Sequence, residues 1–135
     1  MNKVSAAITA VGSYVPDHVL TNKMLESMVD TNDEWITTRT GIKERRILKD
    51  PDKGTSFLGI QAAKNLIEKN NINPEEIDLV IFSTATPDMP VASTAAFTAS
   101  SIGATNAFSF DLQAACSSFL YGMSTAASYI ESGRY

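Results

Sequence analysis

The stretch that most narrows the folds open to this chain is Ala107–Gly122. A short apolar segment around Phe108 and Phe110 runs through Asp111-Leu112-Gln113-Ala114-Ala115 into a turn, and the turn into a helix. Ahead of it, Leu79-Val80-Ile81-Phe82 is a continuous apolar run, the pattern of a strand covered on both faces. Between the two, Ser93 caps a small-residue helix to about Ile102, and Gly103 ends it. Thr55 or Ser56 opens an earlier helix to about Asn70, with Ile60, Ala63 and Ile67 on one stripe. Val4, Ala6, Ile8 and Ala10 alternate with their neighbours and suit a first strand that Gly12-Ser13-Tyr14-Val15-Pro16 ends. Strands alternating with helices argue for an α/β fold built from parallel βαβ units.

The only cysteine of the chain, Cys116, sits where the last helix begins. The first backbone N–H groups of a helix lack intrahelical partners and favour negative charge on a nearby group, which suits a nucleophilic sulfur. In open α/β sheets ligands gather at the carboxyl ends of the strands, and Cys116 follows a strand directly. Ala114, Ala115, Ser117 and Ser118 leave space around the sulfur, and Gly122 permits close packing one to two turns later. A small buried hydrophobe is the competing reading of a lone cysteine. Phe119, Met123, Ala126 and Ile130 form one apolar stripe of this helix and Leu120 with Ala127 a second, so much of its circumference calls for burial.

Composition limits the functional classes. The 135 residues suffice for one domain, and 44% hydrophobic with 19% charged residues describes a globular protein. Lys+Arg 11 against Asp+Glu 15 gives no general attraction to nucleic acid or anionic membrane. One cysteine excludes an intrachain disulfide and a multi-cysteine zinc site. No basic-then-apolar leader and no membrane-length apolar run is present, so the cytoplasm is the expected compartment.

The segment Thr31-Asn32-Asp33-Glu34 matches a capping box, with Thr31 as the cap and Glu34 reaching back. In the helix that follows, Trp35 and Arg39 are four apart and share a face. An indole beside a guanidinium suits stacking on a purine and holding a phosphate, and equally suits an ordinary surface cation–π pair. Gly41 stops this helix. The strand-like Ile42–Leu48 carries Lys43, Arg45 and Arg46, with Lys49 and Lys53 close behind, fitted to a phosphorylated ligand, an acidic protein or plain solvation. Thr21 or Asn22 caps a short helix through Met24, Leu25 and Met28. His18, the only histidine, reads as a loop surface residue rather than a base for Cys116.

Gly12-Ser13-Tyr14-Val15-Pro16, Asn22, Asp33 to Arg46, Thr84-Ala85-Thr86-Pro87-Asp88 and Ala114-Ala115-Cys116-Ser117 together resemble the beta-ketoacyl-acyl carrier protein synthase III family, in its order and spacing. The resemblance implies the N-terminal half of a thiolase-like α/β/α sandwich as a single domain over residues 1–135. Its parallel strands are ordered 3-2-1, with the nucleophile helix after the third. It implies an acyltransferase that starts fatty-acid synthesis by decarboxylative Claisen condensation. An acyl-CoA would load Cys116, and malonyl on acyl carrier protein would then attack the thioester. The backbone N–H of Cys116 would help hold the oxyanion. Trp35 and Arg39 match family positions that contact the nucleotide of coenzyme A, and Thr31 and Thr40 match flanking contacts. The resemblance implies no metal and no cofactor beyond the acyl-CoA substrate, and a homodimer paired through the strand of Phe108.

Two departures stand out. The family places a phenylalanine-proline pair where Val91-Ala92 stands, and that aromatic walls the acyl pocket, so the smaller Val91 implies a wider pocket and leaves acetyl unfixed as the primer. The family's catalytic histidine and asparagine lie in a further half, and His18 does not match that histidine. The 135 residues alone are therefore expected to accept an acyl group without completing condensation. A sister condensing enzyme with another primer or extender, and a non-catalytic dimerisation module, are the alternative readings.

Overall fold

A computed structural model of the chain describes residues 4–135. They form two compact units, Val15–Lys53 and the remaining residues up to Tyr14 and from Gly54 onward.

In the unit Val15–Lys53, β1 (His18–Thr21) pairs antiparallel with β2 (Glu44–Ile47), His18 opposite Ile47 and Thr21 opposite Glu44. His18 thus lies in a strand, not in a loop. Between the strands run α1 (Asn22–Glu26) and α2 (Asp33–Thr40). Thr21 caps α1, its hydroxyl accepting from Met24 N–H. The cap of α2 is Asn32, whose Oδ1 accepts from Trp35 N–H at 2.7 Å. The cap therefore falls one residue after the expected Thr31, because asparagine caps at least as well as threonine, and with Trp35 at the third helical position the expected reach of Glu34 back to the cap is not made. Gly41 ends α2 in the left-handed conformation, at φ 71°.

In the other unit, β3 (Leu79–Ser83) and β4 (Phe108–Leu112) pair in parallel, Leu79 opposite Phe108 and Ser83 opposite Leu112. The helices are α3 (Thr55–Asn70), α4 (Thr94–Ile102) and α5 (Ser118–Glu131). Side chains alternate across a strand, so Phe82 and Ile81 face opposite ways. The Phe82 ring lies against Gly59 of α3, while Ile81 and Ser83 lie against Gly122 of α5. Asp111, opposite Phe82 in register, reaches the N-terminus of α4. Helices α3 and α4 therefore cover one face of the pair and α5 the other, a three-layer α/β/α arrangement. Its tightest core is small: Ala95, Ala99, Ala104 and Ile60.

The α/β class, the parallel pair and the helix after β4 match the sequence reading. Residues 4–11 do not form the expected first strand; they carry no regular secondary structure, and Val4, Ile8 and Val11 are exposed. Alternation permits a strand but does not supply the neighbouring ladder that fixes one. The following residues are tied to α3: Ser13 N–H donates to Asn65 Oδ1 at 3.2 Å, and Tyr14 meets Phe57 edge-on at 5.7 Å.

A methyl group at Gly59 would come within 2.6 Å of Phe82 Cζ. Gly59→Ala is expected to lower stability by about 1–3 kcal/mol, as overpacking does, read as a fall in the denaturant midpoint at unchanged slope.

Candidate functional site

Cys116 is exposed and lies in a single 3₁₀ turn, Ala115–Ser117, that runs straight into α5. Three fastenings hold the turn. Ser117 N–H donates to the Ala114 carbonyl at 3.0 Å, Ala114 N–H donates to Ser118 Oγ at 2.6 Å, and Ser83 Oγ, at the end of β3, donates to the Ser118 carbonyl at 3.0 Å. Ser118 itself is buried. Because the first bond of the turn begins at Ser117, the N–H of Cys116 falls among the groups that a helix start leaves without an intrahelical acceptor. Ala115 has φ 47°, a left-handed conformation that costs a non-glycine residue about 1 kcal/mol or more and that surrounding structure must enforce. That conformation helps turn the chain from β4 into α5 across the five residues 113–117.

Gly122 is one turn further on. A Cβ there would stand 2.7 Å from Ser83 Oγ, so the glycine lets α5 approach β3 closely, as its position in the sequence indicates. Beyond it α5 and β3 enclose an open cavity of about 420 Å³, lined by Leu79, Ile81, Phe119, Met123, Tyr129 and Ile130 among others. Phe119, 68% exposed, marks the apolar surface that α5 leaves uncovered.

Two carboxylates fasten the loop 84–92, one from its middle and one just past its end. Asp88 accepts from Ser56 N–H, at 3.1 and 3.2 Å, and from Ser56 Oγ, which caps α3 where Gly54 brings no side chain of its own. Asp111 does the same for α4. Its Oδ2 accepts from Thr94 N–H at 2.8 Å, and its Oδ1 from Ala95 N–H at 2.7 Å and Ser93 Oγ at 3.1 Å. Burial pushes the Asp111 carboxyl up, but the bonds from Thr94, Ala95 and Ser93 outweigh it and hold the group below the usual carboxylate range. Between these anchors Val91 is 97% exposed.

In the other unit, α2 presents Trp35 and Arg39. The indole is 51% exposed and the guanidinium carbon lies 4.5 Å from its ring centroid. Thr40 ends the helix; its hydroxyl donates to the Ile36 carbonyl at 2.7 Å and accepts from Ile42 N–H at 3.1 Å. Thr31 precedes the cap and is half-buried. Trp35, Arg39 and Thr40 thus share one helix, and Cys116 and Val91 belong to the unit of the parallel strands. The sequence pattern gives Ser118 only as a small neighbour of the sulfur and gives Asp111 and Ser83 no role. An aspartate closing an apolar strand, with a serine-capped helix ahead of it, is the signal that was available.

The model of the family 3-oxoacyl-[acyl-carrier-protein (ACP)] synthase III matches residues 110–135, the segment that holds Asp111 and Cys116. The beta-ketoacyl-[acyl-carrier-protein] synthase III 2 of Bacteroides thetaiotaomicron is 56% identical over 135 residues, which are all of this chain and 40% of that protein. The crystal structure of the 3-oxoacyl-[acyl-carrier-protein] synthase III of Aquifex aeolicus superposes with a TM-score of 0.86 at 48% identity, over 92% of this chain and 40% of that one. The priming beta-ketosynthase of the R1128 polyketide biosynthetic pathway gives a TM-score of 0.86 at 41% identity, over 92% of this chain and 37% of that one. The chain spans about 40% of the length of the curated relatives it matches. With all of its residues aligned to one relative and 92% of them superposed on a solved structure, the chain belongs to the beta-ketoacyl-[acyl-carrier-protein] synthase III family, whose N-terminal part it matches.

Proposed function

We propose that this chain carries the acyl-accepting half of a condensing reaction that starts fatty-acid synthesis. The observation that carries the reading is the exposed thiol of Cys116 in the 3₁₀ turn that leads into α5, just beyond a parallel strand and beside the left-handed Ala115. The sulfur attacks the thioester carbonyl of an acyl-CoA. The carbonyl oxygen gains charge and takes the N–H of Cys116 as one donor. The tetrahedral adduct then expels the coenzyme A thiolate, which leaves as the free thiol after taking a proton, and the acyl group remains on Cys116.

Coenzyme A is recognised by α2. The Arg39–Trp35 contact is exposed and so is worth only about 0.5–1 kcal/mol. Arg39 can leave the ring for a phosphate at little cost and open an indole face to the adenine. Thr31 and Thr40 flank that pair. Malonyl on acyl carrier protein is the second substrate; its loss of carbon dioxide supplies the carbon nucleophile that takes the acyl group from Cys116. No residue of this chain is assigned to that decarboxylation. The chain acts in the cytoplasm as part of a single N-terminal half-domain. It pairs in a homodimer along β4, where Phe108 is 48% exposed at one edge of the two-stranded sheet.

Val91 supports a second, neighbouring reading: a sister condensing enzyme that takes a bulkier primer. Its side chain is smaller than the aromatic that the family places there. Weighing the intact chain after incubation with acyl-CoAs from acetyl to octanoyl tests both. An adduct of one acyl mass is expected, formed faster from longer or branched acyl groups than from acetyl. A preference for acetyl removes the wider-pocket reading, and no adduct from any acyl-CoA refutes acyl transfer.

A further inference from the structure

Asn22 is buried to 1% exposure, yet its side chain is wholly polar. Its Nδ2 donates to Asp33 Oδ1 at 2.7 Å, to the Ile42 carbonyl at 2.7 Å and, more weakly, to Thr37 Oγ1 at 3.3 Å. Its Oδ1 accepts from Arg45 Nη1 at 2.8 Å, and its own N–H donates to the Lys43 carbonyl at 3.1 Å.

These neighbours permit one orientation of the amide. A carboxylate and a carbonyl only accept, so they must face the NH₂; a guanidinium only donates, so it must face the oxygen. Turned over, the amide would set oxygen against oxygen at Asp33 and NH₂ against the Arg45 guanidinium. The side chain is thus a fixed bridge between a carboxylate and a guanidinium, held in a buried setting where unmade bonds are costly.

Three of its partners belong to α2 or its exit. Asp33 is the first residue of the helix, Thr37 follows one turn later, and Ile42 comes just after the Gly41 stop. A helix of eight residues does not hold its place by its own hydrogen bonds. Ile36 is the one residue of α2 that is buried. A single apolar anchor leaves a helix free to rotate about it, and the amide supplies the further points that stop the rotation. Trp35 and Arg39 stand on this helix between the points the amide grips.

We infer that Asn22 is a positioning residue, which fixes α2 so that Trp35 and Arg39 meet the nucleotide of coenzyme A in one pose. The inference rests on the assignment of that pair to coenzyme A. Trp35 is the only tryptophan of the chain, so its fluorescence reports the site directly.

The test is titration of the chain with coenzyme A, followed by quenching of Trp35. In parallel, hydrogen exchange is followed over residues 33–40, with 55–70 and 118–131 as references. Asn22→Ala is expected to weaken coenzyme A binding at least tenfold at a temperature where the variant is folded, and to speed exchange in 33–40 relative to both references. A merely structural role would lower the melting temperature and leave the affinity of the folded variant in place. A folded Asn22→Ala chain that binds within twofold of the parent, with unchanged exchange in 33–40, overturns the inference. If that variant does not fold, Arg45→Met decides. It removes the donor to Oδ1, together with a long bond to the Leu20 carbonyl, and leaves the amide's bonds to α2 in place, so binding at least threefold weaker is expected, and unchanged binding overturns the inference. If the parent itself shows no quenching by coenzyme A, the coenzyme assignment fails. Exchange over 33–40 and the Trp35 emission then judge the positioning alone: a change in both on Asn22→Ala sustains it, and no change removes it.

Discussion

Cys116→Ala is expected to abolish acyl transfer from acyl-CoA, with a loss on the order of 10³-fold or more, the scale on which removing a nucleophile acts. The thiol is exposed, and the turn around it is fastened by Ala114, Ser117, Ser118 and Ser83 rather than by the sulfur. Stability should therefore stay within about 0.5 kcal/mol of the parent, the usual range for exposed positions. Cys116→Ser preserves shape and is expected to fail nearly as completely, because a hydroxyl without a base is a far weaker nucleophile than a thiolate. Rates from intact mass and melting curves from circular dichroism measure the two effects separately. The same variant separates enzyme from dimerisation module. The enzymatic account predicts lost acylation with association intact, and a module would show no functional change.

Asp111→Ala is expected to have the largest effect on stability, about 3 kcal/mol. One carboxylate satisfies two backbone N–H groups and the Ser93 hydroxyl at the start of α4. Loss of a helix cap costs about 0.5–2 kcal/mol, and leaving buried donors unpaired adds about 1–3 kcal/mol each. Chemical denaturation measures the sum. Because the folded carboxyl is held below its ordinary range, its contribution is complete above the unfolded value of about 4 and is lost as pH falls through the folded value. The parent should therefore lose stability on acidification below about pH 4, and Asp111→Asn should flatten that part of the profile. Glu26 and Asp50 are also held low, each chiefly by a hydrogen bond from a lysine, Lys23 and Lys53 respectively. Both pairs are at the surface, where salt screens them. The difference between parent and Asp111→Asn at high salt isolates the half-buried cap.

The elements that could be read from the sequence are those whose signals lie within a few residues. Ser93 and Gly103 bracket α4, Gly41 closes α2, and the strand–turn–helix around Cys116 stands where its pattern places it. The features that escaped are joined over distance. Asp88 caps α3 from 32 residues away, and Asp111 caps α4 from 16 and 17 residues away. No local pattern in residues 55–58 or 94–97 announces a carboxylate arriving from another loop. Asn22 reads locally as one more capping residue, and only the approach of Asp33, Ile42 and Arg45 shows it as a buried bridge. The strand-like Ile42–Leu48 contains β2, but its partner β1 is only four residues long, too short for periodicity to mark, so the pairing stayed hidden. Residues 4–11 show the reverse fault, a good strand pattern without a ladder.

The central claim is that the sulfur of Cys116 accepts an acyl group from coenzyme A. The most direct measurement is to incubate the chain with acyl-CoA carrying a radiolabelled acyl group, digest it, and locate the label. The account predicts one labelled peptide, containing Cys116, whose label hydroxylamine releases as a thioester should. A chain that stays unlabelled while Cys116 still reacts with iodoacetamide, or a label found on any other residue, would contradict it.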